Sequence, residues 1–242
     1  MKSMRLFALT ALVIAAPALG GLNPGDQWYN PALAGSGEIG DGGPYYTAGS
    51  PAWLNGGSLA TSLSSPIQSV PGFPAFTGTV NSAVYYVNGA DSSAGLGFAY
   101  QINLAANSAS RLVRASLSSS LWQLVSIIDA GSDQSGNSTA ASGNTTWTDG
   151  DPYFIEREAT MGLPAWNFRF GTDGTRLDAG NVSAWVWFET DARNYANGGT
   201  ISLLDGGTTG AARVLTVGAI PSPAAAGLSL VGMLIVGVLR RR

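Results

Sequence analysis

The stretch NVSAWVWFE, residues 181–189, decides the fold class. Alternate positions from Val182 to Phe188 are apolar on one face, and Trp185 and Trp187 make the opposite face apolar as well. Successive side chains of a β-strand point to opposite faces of its sheet. Because both faces of this strand are apolar, we predict that it lies in the middle of a two-layer structure.

Other segments with the same alternation lie on both sides of this strand. Phe98, Tyr100 and Ile102 fall on one face of a predicted strand, and residues 164–170, PAWNFRF, alternate in the same way. No amphipathic helix separates these segments. The pattern predicts an all-β fold, an antiparallel β-sandwich or jelly-roll-like domain over residues 21–219. Residues 21–77 are rich in Gly, Pro and Ser and are predicted to form its irregular N-terminal part.

Composition excludes several classes of function. The chain has no Cys and no His, so disulfides, thiol nucleophiles, Ser-His-Asp triads and zinc sites built from nitrogen or sulfur cannot form. Between the basic residues of the two ends, the chain carries seven arginines, no lysine and all fifteen acidic residues, a net charge of −8. Nucleic-acid binding is not predicted, because it requires a basic patch.

The N-terminal residues 1–20 have the layout of a secretory signal peptide. Lys2 and Arg5 precede an apolar run, and small residues follow it. Cleavage is expected after Ala18 or, as a competing site, after Gly20. An uncleaved anchor helix is the alternative, but the apolar run is short for a membrane span.

The C-terminal residues 220–242 contain a second apolar segment. Residues 224–239 carry no charge, and as a helix they would span about 24 Å, which is slightly short for a membrane span but could be accommodated by a thin bilayer and snorkelling arginines. Arg240, Arg241 and Arg242 follow and are expected to stay on the cytoplasmic side. The sequence therefore predicts a C-terminal transmembrane helix that holds the body outside the cytoplasm.

This ending resembles the PEP-CTERM sorting signal. The resemblance rests on three parts in order, namely Pro221-Ser222-Pro223, the apolar helix and the arginine cluster, although the full motif has glutamate where this chain has Ser222. It implies a Gram-negative host and processing by an exosortase, an integral-membrane cysteine transpeptidase that cuts near the tripeptide. The chain would then be anchored in the membrane transiently, before it reaches the cell surface or the extracellular exopolysaccharide.

These features favour a non-enzymatic surface or extracellular-matrix protein that is sorted through its C-terminal anchor. A permanent single-pass membrane protein is one alternative, and a lectin-like carbohydrate-binding module is another. For the lectin alternative, an indole ring can stack on a sugar ring. Trp147, alone in a polar loop, and then Trp53 are the candidate contacts, while the strand tryptophans are expected in the core.

Catalysis and metal binding have weaker support. Paired carboxylates could hydrolyse glycosides, and the candidate pairs are Glu156 with Glu158 and Glu189 with Asp191. We interpret these acids instead as a strand edge with Arg157 and Arg193 as partners, so no catalytic residue and no cofactor are predicted. Acidic loops at 129–137 and 149–151 leave calcium open, although neither matches an EF-hand loop.

Overall fold

The structure is a computed structural model that describes residues 21–30, 45–69, 76–109, 111–133, 151–168, 177–205 and 208–219. Strands dominate these ranges, which confirms the all-β prediction. One short α-helix, α1, covers Ala52–Gly56, and 3-10 helices cover Ser92–Ala94 and Ser120–Leu124. The strands are β1 Gln27–Tyr29, β2 Thr47–Ala48, β3 Ser58–Pro66, β4 Gln68–Ser69, β5 Gly78–Tyr86, β6 Leu96–Leu104, β7 Arg114–Leu117, β8 Ile127–Asp133, β9 Phe154–Arg157, β10 Pro164–Asn167, β11 Trp185–Thr190, β12 Tyr195–Asp205 and β13 Thr208–Val217.

The strands form two sheets. A seven-stranded sheet has the order β1-β9-β10-β7-β12-β13-β4, and a six-stranded sheet has the order β2-β8-β11-β6-β5-β3. All the strand pairs are antiparallel except β2 with β8, so the prediction of a wholly antiparallel structure is corrected at that edge. About eighty residues separate these two strands, and no hairpin constrains their relative direction.

The core lies between the two sheets and confirms the predicted apolar faces. Phe98, Tyr100 and Ile102 of β6 point into it together with Val186 and Phe188 of β11, and each is at most 1% exposed. Strand β11 lies between β8 and β6, inside the six-stranded sheet. Its predicted central position is therefore confirmed.

The outer face of β11 is covered by helix α1. Trp185 and Trp187 on this face belong to a second apolar cluster with Trp53 and Leu54 of α1. The indole N–H of Trp187 donates to the carbonyl of Gly49, 3.0 Å away, just before the helix. The strand is thus buried on both faces, by the other sheet on one side and by a single helical turn on the other.

The prediction that residues 21–77 are irregular is partly wrong, because they contain the nine-residue strand β3. Strand β3 pairs with β5 from Ser58 opposite Tyr86 to Pro66 opposite Thr79, with one register shift between Leu59 and Thr61. The serine, threonine and alanine side chains of β3 give only a weak apolar pattern in the sequence. The strand forms because β5 supplies its backbone hydrogen bonds. Around it, the described part of this region holds only α1 and strands of two or three residues.

Among the described residues, no helix is both long enough and apolar enough to cross a membrane. The predicted span at 224–239 and the predicted signal peptide at 1–20 lie outside those residues.

The contact between α1 and the six-stranded sheet depends on the absence of a side chain at Gly97. A Cβ atom there would lie 2.5 Å from Cζ3 of Trp53, too close for the ring to stay in place. Gly97→Ala is therefore expected to lower the free energy of unfolding by about 1–3 kcal/mol and to displace Trp53. Urea denaturation, followed by tryptophan fluorescence, measures both effects.

Gly56→Ala is the matched control for this prediction. Nothing lies within 4 Å of a Cβ atom at Gly56, which belongs to α1. Alanine favours helix over glycine by up to about 1 kcal/mol, so this variant should be as stable as the parent or more stable. Equal losses in both variants would contradict the proposed role of Gly97.

Candidate functional site

A groove of about 410 Å³ runs along the outer face of the six-stranded sheet, between α1, β3 and β5. Its polar lining includes Ser62, Ser64 and Asn81, and the register places Ser62 opposite Ala83 and Ser64 opposite Asn81. These residues share the outer face because strand positions two apart point to the same side. The groove is therefore built on paired strands rather than on loops.

The groove offers neutral polar groups beside aromatic rings. Tyr85 and Trp185 contribute to its wall, although they are only 7% and 5% exposed, and none of the described residues that line it is charged. Burial raises the pKa of Tyr85, so its phenol remains a neutral hydrogen-bonding group. Hydroxyl and amide groups suit a neutral, hydroxyl-rich ligand, and the described lining offers no charge to pair with an ionic one.

Trp53 does not present an open ring to a ligand, which corrects its choice as a candidate carbohydrate contact. Its side chain is 4% exposed, and its ring lies 5.8 Å from that of Tyr85 and 5.7 Å from that of Trp187, between ring centroids. Its indole N–H donates to Oε2 of Glu189, 2.9 Å away. Trp53 therefore anchors α1 to the sheet.

The candidate carboxylate pairs have structural partners. Arg114 binds both Glu156 and Glu158, and Nε2 of Gln27 donates to Oε2 of Glu156 at 2.9 Å. The expected partner, Arg157, lies elsewhere: its guanidinium is buried and donates to backbone carbonyls.

Glu189 and Asp191, the second candidate pair, also have separate partners. Glu189 accepts from Trp53, and Oδ1 of Asp191 accepts the N–H of Ser126 at 2.7 Å. Arg193 donates to the carbonyl of Ser92 at 2.6 Å rather than to these acids. Each of the four carboxylates therefore accepts a hydrogen bond from a partner in another segment of the fold.

Two aspartates that are far apart in sequence are buried close enough to interact electrostatically. Asp133, at the end of β8, is 1% exposed, and Asp151 is fully buried, with no hydrogen-bond partner for either carboxylate oxygen among the described residues. Burial, with the negative charge of Asp133 as a smaller cause, raises the pKa of Asp151 to about 7. Calcium takes six to eight oxygen ligands, and no group of three or more acidic side chains that could hold a metal occurs in the described ranges.

Asp151 is expected to make the stability depend on pH. Its pKa rises from the usual 3.8 to about 7 on folding, so the folded state holds a proton that the unfolded state has lost between these values. The free energy of unfolding should therefore fall as the pH rises from about 4 to 7. Asp151→Asn, which cannot ionise, should remove this part of the pH dependence.

Urea denaturation over this pH range, in buffer with a chelator, compares the two proteins. Asp205→Asn is the control, because Asp205, at the end of β12, is only partly buried. A parent protein and an Asp151→Asn variant with the same pH profile would contradict the assignment of the shift to Asp151.

No protein-family model, no curated protein and no solved structure matches this chain. The fold and the groove define it as an all-β, two-sheet protein with a neutral groove on one outer face. Several predicted site residues lie outside the described residues. They are Ala18, Gly20, Trp147, Pro221, Ser222, Pro223, Arg240, Arg241 and Arg242.

The sequence interpretation missed the groove because its residues were assigned to other roles. Ser62 and Ser64 fell in the segment interpreted as irregular, and Trp185 was assigned to the core. One sequence signal for this strand is present in SLATSLSSP, residues 58–66. The apolar Leu63 lies between the polar Ser62 and Ser64, and this alternation is typical of a β-strand.

Proposed function

We propose that this chain is an exported, non-enzymatic protein of the bacterial surface or extracellular matrix, sorted by an exosortase-type transpeptidase. The observation that carries the proposal is the three-part ending, Pro221-Ser222-Pro223, apolar residues 224–239 and Arg240–Arg242. The chain is held in the membrane by this segment until it is processed, and it is then associated with the cell surface or with exopolysaccharide. The body is a jelly-roll-like sandwich.

Contacts of the described residues nearest to the proposed processing sites support this proposal. Leu22 is 1% exposed, and its N–H donates to the carbonyl of Ile127 at 3.0 Å. Val217 is the last residue of β13, and the N–H of Gly218 donates to the carbonyl of Asn194 at 2.8 Å. Cleavage after residue 18 or 20 and near 221–223 would therefore leave every described strand intact.

Mass spectrometry of the mature protein tests the proposal. The full chain is expressed in a Gram-negative host with a multi-spanning cysteine transpeptidase, and in the same host without that enzyme. We expect an N-terminus after residue 18 or 20, and a C-terminus near Pro223 only where the transpeptidase is present. The double variant Pro221→Ala, Pro223→Ala should keep Arg242 and stay in the membrane fraction.

Two results would contradict it. An intact Arg242 in the envelope, with or without the transpeptidase, would establish the permanent single-pass anchor instead. Truncation after Ala219 that changes neither the location of the protein nor its covalent state would exclude any role for the C-terminal segment.

The groove favours a second candidate function, carbohydrate binding. Its described lining has no charged side chain and holds Ser62, Ser64 and Asn81 on one face, and this is the observation that supports it. Glycan-array binding should weaken about five- to tenfold in Asn81→Ala, because a lost hydrogen bond at a binding site costs about 1–1.5 kcal/mol. The matched control is Gln123→Ala, an exposed residue of the 3-10 helix at Ser120–Leu124.

The same glycan array tests whether the sugar binds at Trp147 or in the groove. Loss of binding in Trp147→Ala, with Asn81→Ala unaffected, would assign the sugar to Trp147 rather than to the groove. Absence of binding to any glycan would remove this second candidate.

A further inference from the structure

The edges of the two sheets differ in length. Among the described residues, β1, β4 and β2 end three of the four edges with only two or three residues each. The fourth edge is β3, which has nine residues and pairs with β5 on one side only. Every edge strand leaves backbone N–H and C=O groups available to another strand, and a long edge offers a whole row of them.

Strand β3 has few of the features that normally protect an edge. None of its residues is charged, and its one proline, Pro66, is the last residue of the strand. A register shift between Leu59 and Thr61 interrupts its pairing near the other end. Between these points the five residues from Thr61 to Ser65 form a regular run, and Leu59 beside it is 53% exposed.

The regular run is complementary to a second copy of itself. If two such strands pair antiparallel about Leu63, then Leu63 faces its own copy, Ser62 faces Ser64, and Thr61 faces Ser65. Small hydroxyl side chains then lie opposite one another on both faces, which favours a cross-strand pair. A two-fold axis midway between the two Leu63 residues gives both copies the same contacts, as a closed dimer requires.

The distribution of charge selects a second copy as the partner. Strands β3, β5 and β6, which form this side of the six-stranded sheet, contain no charged side chain at all. The rest of the body is acidic, with a net charge of −8 between the basic ends. Two identical acidic bodies therefore meet with least repulsion at this edge, whereas a basic partner would find no acidic side chain on these strands.

We propose that two copies of this protein associate through β3, antiparallel about Leu63, so that their six-stranded sheets become one continuous sheet. Ser62 and Ser64 line the groove on the outer face of the sheet, so this pairing also places the grooves of the two copies side by side. The association does not depend on how the chain is exported or processed.

Sedimentation of the purified full-length chain, over a wide range of concentration, tests the association. We expect a monomer–dimer equilibrium in the parent protein. The double variant Ser62→Lys, Ser64→Lys should be monomeric, because it places like charges opposite each other at exposed positions of the edge. The control, Ala159→Lys with Thr160→Lys, changes two exposed turn residues away from β3 and should dimerise like the parent.

The control adds the same two positive charges as the β3 variant, so it distinguishes an effect at the β3 edge from an effect of the net charge. All variants keep the same apolar segments at the two ends of the chain. Circular dichroism checks that each variant has the strand content of the parent. A parent protein that remains monomeric at every concentration would overturn the proposal, and so would a double lysine variant on β3 that dimerises as well as the parent.

Cross-linking tests the register. The chain has no cysteine, so a single introduced cysteine can form a disulfide only between copies. Leu63→Cys should give a covalent dimer on mild oxidation, because the two Cα atoms of a directly opposed pair lie about 4.5–5.5 Å apart, within the range that a disulfide spans. Ser58→Cys, on the same strand but five residues from the axis, should not. Equal cross-linking of both variants, or of Ser58→Cys alone, would overturn the proposed register.

Discussion

Replacing Arg157 with methionine is expected to lower the free energy of unfolding by about 3–5 kcal/mol, since it leaves buried polar groups without a partner. Arg157 is 6% exposed, and its guanidinium donates to four backbone carbonyls. Nε donates to Gly162 at 3.0 Å, Nη1 to Leu22 at 3.3 Å, and Nη2 to Trp122 and Val125, both at 2.8 Å.

These bonds tie distant segments together. Leu22 lies at the start of the described chain, Trp122 and Val125 belong to the connection between β7 and β8, and Gly162 lies between β9 and β10. Burial lowers the pKa of Arg157, but that of a guanidinium starts so high that it keeps its charge at neutral pH. Methionine keeps an apolar side chain of similar length and removes every hydrogen-bond donor. The decrease in the free energy of unfolding therefore measures the contribution of the guanidinium.

Two further variants sharpen the test. Arg157→Lys keeps the charge but has fewer donors and no planar fork, so an intermediate loss is expected. Arg213→Met removes an exposed arginine with one bond, to the carbonyl of Asn197 at 3.1 Å, and should change stability by about 0.5 kcal/mol or less. Urea denaturation of the full chain gives the values. A loss in Arg157→Met no larger than in Arg213→Met would refute the role assigned to Arg157.

Phe188→Ala is the other substitution with a large expected effect, a loss of about 3–5 kcal/mol. Phe188 is fully buried in the core between the sheets. Its ring centroid lies 5.9 Å from that of Trp122, 6.1 Å from that of Trp166 and 6.4 Å from that of Tyr100. Removal of the ring leaves a cavity that three large, rigid rings cannot close without shifting.

Denaturation measures this loss, and near-ultraviolet circular dichroism should weaken at the same time, because the tryptophan rings lose their fixed surroundings. Phe188→Leu fills most of the cavity and is expected to cost less than about 1.5 kcal/mol. Leu124→Ala, at a side chain that is 62% exposed, serves as the control and should be nearly neutral. If Phe188→Ala were as mild as Leu124→Ala, the assignment of Phe188 to the centre of the core would fail.

The sequence predicted best where the pattern of apolar residues was long and regular. Strand β6 alternates Phe98, Tyr100 and Ile102 toward the core, and β11 has apolar side chains on both faces; both were predicted and both are confirmed. The prediction failed at β3, because serine and threonine suit loops and strands alike and the signal depends on the strand that pairs with them.

The candidate site was harder to predict, since exposure is not a property of a residue type. Trp53 lies among proline, glycine and serine in the sequence, where an exposed ring is plausible, yet α1 turns it onto Gly97 and Trp187. The groove along β3 and β5 likewise exists only once Ser62, Ser64 and Asn81 are brought to one face by the pairing of the strands.

By itself, the sequence determined the all-β class, the central position of β11 and the exclusion of cysteine and histidine chemistry, because these follow from local alternation and from composition. The tertiary structure alone decided which distant groups meet: Arg157 with the carbonyl of Leu22, 135 residues away, and Trp53 with Glu189, 136 residues away. Such contacts depend on the order of strands in each sheet, and local periodicity does not encode that order.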